Sequence, residues 1–262
     1  MAYETLAYDL RPDGVATLRL NRPEAKNAMN GTMYDEARAL VAQVDRDPAV
    51  RVVVLTGTGS AFCSGGDFKY QQSQAARPEK ERLAEASKLA LWLGELDRLS
   101  KPVIGRINGP AYGGGIGMIS VCDIAIGVEG ATFALTEVGL GLLPANIAPY
   151  VVARMGAANS RRTMLTARRM TALEAKSFGL LNDVVSPADL DAAVEREIAD
   201  VLRCAPGAVA ATKKLIAFVD SHDLSTSMVY TADRLADAWD STEGQEGVAC
   251  FFEKRTPPWR KS

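Results

Sequence analysis

The chain has 262 residues, 47% of them apolar and 24% charged, with a formal net charge of −2 at pH 7. This is enough apolar material for a real core, while the near-neutral charge gives no electrostatic case for nucleic acid or an anionic membrane as partner. No apolar run approaches the roughly 20 residues that span a bilayer, and Met1-Ala-Tyr-Glu-Thr5 lacks the basic and apolar segments of a secretion signal. Cys63, Cys122, Cys204 and Cys250 lack metal-ligand spacing and fit reduced thiols in a cytoplasmic protein. The one histidine, His222, lies in a polar stretch and reads as a surface or helix-end residue.

The first elements alternate strand and helix. Tyr3–Leu10 and Val15–Leu20 flank Pro12-Asp13-Gly14, which predicts a hairpin. Asn30-Gly31-Thr32 opens a helix running to about Arg46, with Met33, Ala37, Leu40, Val41 and Val44 on one face. The β-branched run Val50–Thr56 predicts a buried strand. Glu79–Leu99 reads as an amphipathic helix with a stripe of Leu83, Ala86, Leu89, Ala90, Leu93 and Leu96. Lys101-Pro102 stops it. Val103–Ile107 and Cys122–Val128 follow as strands, with a short one at Thr132–Leu135.

From about Ala145 the pattern changes to helix after helix. Pro187–Arg203, Pro206–Asp220, Leu224–Asp240 and Thr242–Lys254 are the clearest. The coarse reading is α/β: repeated strand-strand-helix units over 1–200, then a helical region over 201–262. No glycine- or serine-rich linker marks a sharp boundary between them.

Two glycine-rich turns each follow a buried strand: Ser60-Ala-Phe-Cys-Ser-Gly-Gly-Asp-Phe-Lys69 and Asn108-Gly-Pro-Ala-Tyr-Gly-Gly-Gly115. Three consecutive glycines cost stability and need a reason. Close packing of helix on strand is one; exposed backbone amides aimed at an anion or developing oxyanion is another. Neither turn matches a dinucleotide fingerprint or a phosphate-binding loop. Two separate amides converging on one oxygen is what acyl chemistry needs.

The chain resembles the crotonase superfamily, the enoyl-CoA hydratase/isomerase family. The resemblance rests on Asn21-Arg-Pro-Glu-Ala-Lys-Asn-Ala28, Ala61-Phe-Cys-Ser-Gly-Gly-Asp-Phe-Lys69, Lys101-Pro-Val103, Asn108–Gly115, Cys122-Asp-Ile-Ala125, Phe133–Pro144 and Phe251-Phe-Glu-Lys-Arg255. These occur in family order over nearly the whole chain. The resemblance implies a crotonase-like spiral of ββα units, followed by C-terminal helices that build a homotrimer, commonly paired into a hexamer. It implies an acyl-CoA substrate, with coenzyme A as part of that substrate and no separate cofactor or metal. The thioester oxygen would be held by the amides of Gly66 and Gly114. Ala25, Lys26, Ser64 and Phe68 match positions lining coenzyme A, and Lys254 matches a tail residue reaching its phosphates, often from a neighbouring subunit. Lys254 reads equally well as an ordinary charged helix end.

Standard hydratases of this family carry two glutamates. The second is present as Glu137; where the first is expected, this chain has Gly117. Asp123 is the nearest acid downstream and reads as structural. Glu137 stands among Phe133, Leu135, Val138 and Leu140, a setting that raises a carboxyl pKa toward proton transfer near neutral pH. One carboxylate permits hydration of a 2-enoyl-CoA, or movement of a double bond as in a Δ3,Δ2-enoyl-CoA isomerase. A catalytically weak acyl-CoA-binding member is the alternative of another class. Tyr112–Gly117, Leu135–Val138 and Pro144-Ala-Asn-Ile-Ala-Pro-Tyr-Val151 resemble the methylglutaconyl-CoA hydratase-like subgroup, where the first glutamate is also absent. For such a substrate Arg154, Arg161 or Arg162 could pair a distal carboxylate, or stand as solvated helix charges.

Overall fold

The computed structural model describes residues 3–260, so Met1, Ala2, Lys261 and Ser262, at the outer ends of the two expected regions, lie outside it. Strands β1 (Leu6–Leu10) and β2 (Val15–Leu20) pair antiparallel, with Leu6 opposite Leu20 and Leu10 opposite Ala16. The turn between them closes through Gly14, whose φ of 94° favours glycine. Helix α1 (Gly31–Arg46) starts at Asn30, whose side chain accepts from the Met33 amide, and buries the predicted face.

Strand β3 (Val52–Gly57) is buried at every position, as a central parallel strand covered on both faces should be. Helices α2 (Phe68–Ala75) and α3 (Glu79–Asp97) follow, then β4 (Val103–Ile107), β5 (Ala111–Tyr112), α4 (Gly114–Ser120), β6 (Ile124–Val128) and β7 (Thr132–Ala134). Helix α5 (Ala148–Met164) is broken at Gly156, where φ is 72°. Then come β8 (Met170–Thr171), α6 (Ala172–Ser177), β9 (Asp183–Val185), α7 (Leu190–Leu202), α8 (Pro206–Ser221), α9 (Leu224–Asp240) and α10 (Thr242–Glu253).

The main sheet has the order β1-β2-β3-β4-β6-β9, parallel throughout except for the β1–β2 hairpin. A second, small sheet has the order β5-β7-β8. Helix α7 packs against β3, β4 and β6, whereas α8, α9 and α10 pack on one another. The last three expose Ile216, Val229, Leu235, Trp239, Phe251 and Phe252. His222 ends α8 as an exposed residue whose ring stacks on Phe218.

Three expectations need correction. The region after Ala145 is not purely helical: β9 pairs with Ile126–Val128 and forms an edge of the main sheet. Helix α2 was not foreseen. The stripe of α3 is buried only in its second half, around Trp92, Leu93 and Leu96; Leu83 is exposed and Ala86 faces out. The first half of α3 stands away from the core and walls a cavity instead.

Candidate active site

The two glycine turns run side by side. Cys63 bridges Ala111 in parallel register, with the Tyr112 amide donating to the Cys63 carbonyl at 3.0 Å. Gly66 and Gly114 each lie three residues beyond that bridge, on the two turns. Gly65 fits the pattern, since a Cβ there would lie 3.1 Å from the Tyr112 carbonyl oxygen. On its other side the first turn bridges Met29: the Met29 amide donates to Gly65 and the Asp67 amide to Met29. These bonds use the groups on either side of the Gly66 amide, and that amide has no partner among the described residues. Gly114 is the first residue of α4, where an amide has no intrahelical acceptor. Both glycines line one cavity of about 180 Å3.

The triple glycine both packs the two turns together and lines the cavity. At Gly113, φ is 49°, and an added Cβ would sit 2.9 Å from Glu137 Oε1. At Gly115 a Cβ would come within 2.7 Å of the Cys63 carbonyl oxygen, so that residue keeps the two turns in contact. Gly114, between them, supplies the amide at the cavity.

Glu137 begins a short 3₁₀ turn, Glu137–Leu140, that follows β7. It is half-buried, and Oε2 is buried with no hydrogen-bond partner among the described residues. Desolvation pushes its pKa above the ordinary carboxylate value. A carboxylate so placed prefers to gain a proton, and it lines the same cavity as the two amides. Met29, Leu89, Leu142 and Ile147 complete the walls with apolar surface.

Buried polar groups fix the first turn. Asn27, fully buried, donates through Nδ2 to the carbonyls of Thr58 (2.9 Å), Ala61 (2.9 Å) and Phe62 (3.2 Å). Arg22 pairs with Asp67 at 3.0 Å and donates to the Ala28 carbonyl at 2.6 Å. Asp67 in turn caps α2, accepting from the Lys69 and Tyr70 amides. Sequence reasoning quoted these residues as motif members without seeing that they hold Gly66.

Ala25, Ser64 and Phe68 line a shallow groove of about 420 Å3 that shares Ser64, Gly66 and Phe68 with the Glu137 cavity. Lys26 is exposed beside it, its carbonyl accepting from the Ser64 amide at 3.0 Å. Lys254 caps α10 and lines neither cavity. Larger cavities, of about 790 and 610 Å3, lie under α8 and between the main sheet and α7. Neither contains Glu137, so size does not locate this site.

At Gly117 the space for an acid is filled. An added Cβ would meet Ile147 Cγ2 at 2.4 Å and Leu93 Cδ1 at 3.1 Å. The space beside Gly117 is therefore aliphatic wall, much of it from Ile147. Asp123 is structural, as its motif suggested: Oδ2 accepts from the Val103 amide and from Lys213 Nζ, both at 2.7 Å. The three arginines considered for a distal carboxylate are not in the cavity. Arg154 is tied to the carbonyls of Gly179 and Cys122 and to Asn182, and Arg162 lies over the Phe178 ring. Arg161 is an exposed charge in the last turn of α5.

The chain matches known proteins along nearly its whole length. The family model for enoyl-CoA hydratase/isomerase matches residues 11–262. A crotonyl-CoA hydratase from Syntrophomonas wolfei is 32% identical over 257 residues, covering 97% of each chain. Among solved structures, an enoyl-CoA hydratase from Shewanella pealeana superposes with a TM-score of 0.94 at 36% identity, covering 98% of this chain and 96% of that one. AtuE from Pseudomonas aeruginosa superposes with a TM-score of 0.95 at 37% identity, covering 98% of this chain and 100% of that one. The chain belongs to the enoyl-CoA hydratase/isomerase family, within the crotonase superfamily, and is an enzyme of that family.

Proposed function

We propose that the enzyme is a hydro-lyase that adds water across the 2,3 double bond of an enoyl-CoA thioester, with Glu137 as the one acid/base. The observation that carries this reading is the buried Oε2 of Glu137, without a partner among the described residues, in the cavity that Gly66 and Gly114 also line. The thioester oxygen accepts from the Gly66 and Gly114 amides. Glu137 removes a proton from water as its oxygen bonds to Cβ, and the electron pair moves through Cα to the thioester oxygen as an enolate. The amides hold that developing charge; losing one such donor costs about 3 kcal/mol of barrier stabilisation. The same carboxyl then returns the proton to Cα, so oxygen and hydrogen add to one face. A branched or glutaconyl-type acyl group is the narrower substrate class within this reading.

A Δ3,Δ2-enoyl-CoA isomerase is the second reading, favoured by the aliphatic filling at Gly117, because moving one proton from Cα to Cγ needs no second acid. Mass spectrometry of products separates the two. Crotonyl-CoA or a glutaconyl-type ester should gain one water, whereas a 3-enoyl-CoA converted to an equal-mass conjugated ester supports isomerisation. Glu137→Gln should lower turnover about 10²–10⁴-fold, the usual range for a positioned acid/base, with CoA binding retained. Unchanged turnover removes Glu137 from the mechanism.

The exposed apolar residues of α8–α10 support assembly as a homotrimer, or a hexamer built from two. In that assembly Lys254 would act at a neighbour's coenzyme A rather than at its own.

A further inference from the structure

Hydration asks more of the Glu137 cavity than proton transfer does. A water bonded only to one carboxylate pivots about that bond, so a second partner is needed to aim its lone pair at Cβ. The wall beside Gly117, from Ile147 and Leu93, is aliphatic and offers no acceptor.

The other polar side chains on the cavity can be taken in turn. Ser64 Oγ donates to the Ala25 carbonyl at 3.2 Å, and Asn146 Nδ2 to the Ala86 carbonyl at 2.6 Å. Tyr34 and Gln71 stand at the far end, where they also line a neighbouring cavity between α2 and α3 that Glu137 does not reach. Thr136 remains. It precedes Glu137 in the chain, is exposed, and lines the same cavity of about 180 Å3.

The Thr136 hydroxyl is also idle where threonine is ordinarily employed. The residue stands immediately before the Glu137–Leu140 turn, a position at which a threonine hydroxyl usually accepts from an amide of the turn. Thr136 makes no such bond, because its backbone is helical (φ −89°, ψ −5°) instead of extended. Its carbonyl takes the Gly139 amide at 3.1 Å, which fixes the backbone and leaves the hydroxyl free.

We infer that Thr136 is a further catalytic residue, whose hydroxyl oxygen holds the attacking water together with the Glu137 carboxylate. The inference deepens the hydratase reading and rests on it. One water hydrogen is donated to Glu137 and the other to Thr136 Oγ1, which turns a lone pair toward Cβ. As the C–O bond forms, the first proton passes to Glu137 and the π pair of the double bond moves through Cα to the thioester oxygen. The second hydrogen stays on the new alcohol, and Thr136 keeps its own proton throughout.

Two reactions of the full-length enzyme separate water placement from proton transfer. Hydration of crotonyl-CoA needs both; deuterium uptake at Cα of butyryl-CoA in heavy water, read by mass spectrometry, needs only Glu137 and the amides. Thr136→Val should lower kcat for hydration about tenfold, the weight of one hydrogen bond, with KM little changed and the exchange rate kept. Thr136→Ser should stay within about threefold of the parent in hydration. Hydration undiminished in Thr136→Val overturns the assignment. So does a parallel fall in hydration and exchange, which would make Thr136 a support for Glu137, and so does a serine variant as slow as the valine one. A parent that exchanges but does not hydrate removes the hydratase reading and the water site with it, whereas a parent that does neither removes the acyl-CoA chemistry altogether.

Discussion

Around Gly66 the backbone is held by side chains; around Gly114 it is held by packing. The first turn hangs on the Asn27 carboxamide and on an Arg22–Asp67 pair whose side chains keep about a fifth of their surface exposed. The second is closely packed, with Gly114, Gly115, Ile116 and Gly117 buried and Cys63 directly beneath Gly115. Both deliver an amide to one cavity. A donor built on packing is fixed by the fold itself, whereas a donor built on hydrogen bonds can be loosened one bond at a time. The two turns should therefore respond differently to substitution.

The largest difference is expected at Gly114. Its amide makes no hydrogen bond among the described residues, and proline at the first helical position removes a donor that the helix does not use. Gly114→Pro should lower kcat/KM by about 10²–10³-fold, the cost of one lost oxyanion donor. Gly114→Ala is the matched control: it places the same Cβ against the flexible end of Met29, 2.2 Å away before that side chain moves, but keeps the N–H. Kinetics that fall equally in both variants would assign the loss to crowding and take the Gly114 amide out of the oxyanion hole.

On the Gly66 side the effect moves to stability. Asn27→Ala removes the two Nδ2 hydrogens shared among the Thr58, Ala61 and Phe62 carbonyls and the Oδ1 acceptor of the Arg22 amide, three bonding positions at about 1 kcal/mol each. Its φ of 58° also suits asparagine better than alanine. Chemical unfolding should show a loss of about 3 kcal/mol, with KM rising more than kcat falls, because the turn is loosened and no donor is deleted. A loss below 1 kcal/mol would mean that packing holds this turn as well, and the contrast between the two would collapse.

Much of this site is legible in the sequence because its parts are local. Asn30 before an amphipathic run, the β-branched run after Val50, the glycine pairs and the lone Glu137 each carry their signal within a few residues. What the sequence hides depends on distant neighbours. Helix α2, Phe-Lys-Tyr-Gln-Gln-Ser-Gln-Ala, has no apolar period, and its order comes from the Asp67 cap and from contact with α3. Strand β9 has three residues and exists because Ile126–Val128 offers it a parallel edge. Leu83 and Ala86 fit a helical stripe, yet that part of α3 faces a cavity rather than the core. Ile147 lies thirty positions from Gly117, and no spacing rule announces that one fills the space beside the other.

The smallest effect concerns Glu137 itself and has a definite sign. Its pKa is raised by desolvation, so the folded state favours the protonated form more than the unfolded chain does. The stability contributed by the protonated carboxyl is complete below the unfolded-state pKa and is lost as pH rises through the higher folded-state value. Glu137→Gln keeps the shape of that neutral form at every pH. The variant should therefore unfold at higher temperature than the parent at neutral pH, and the gap should close as the pH falls through the carboxyl range. The parent's kcat/KM should lose activity on acidification at a pH above the ordinary carboxylate value, since the base must be ionised to accept a proton from water. Differential scanning calorimetry across pH checks the first statement and a pH–rate profile the second. A variant no more stable than the parent at neutral pH would mean that the Glu137 carboxylate is solvated in the free enzyme, and that the burial of its Oε2 does not tune it.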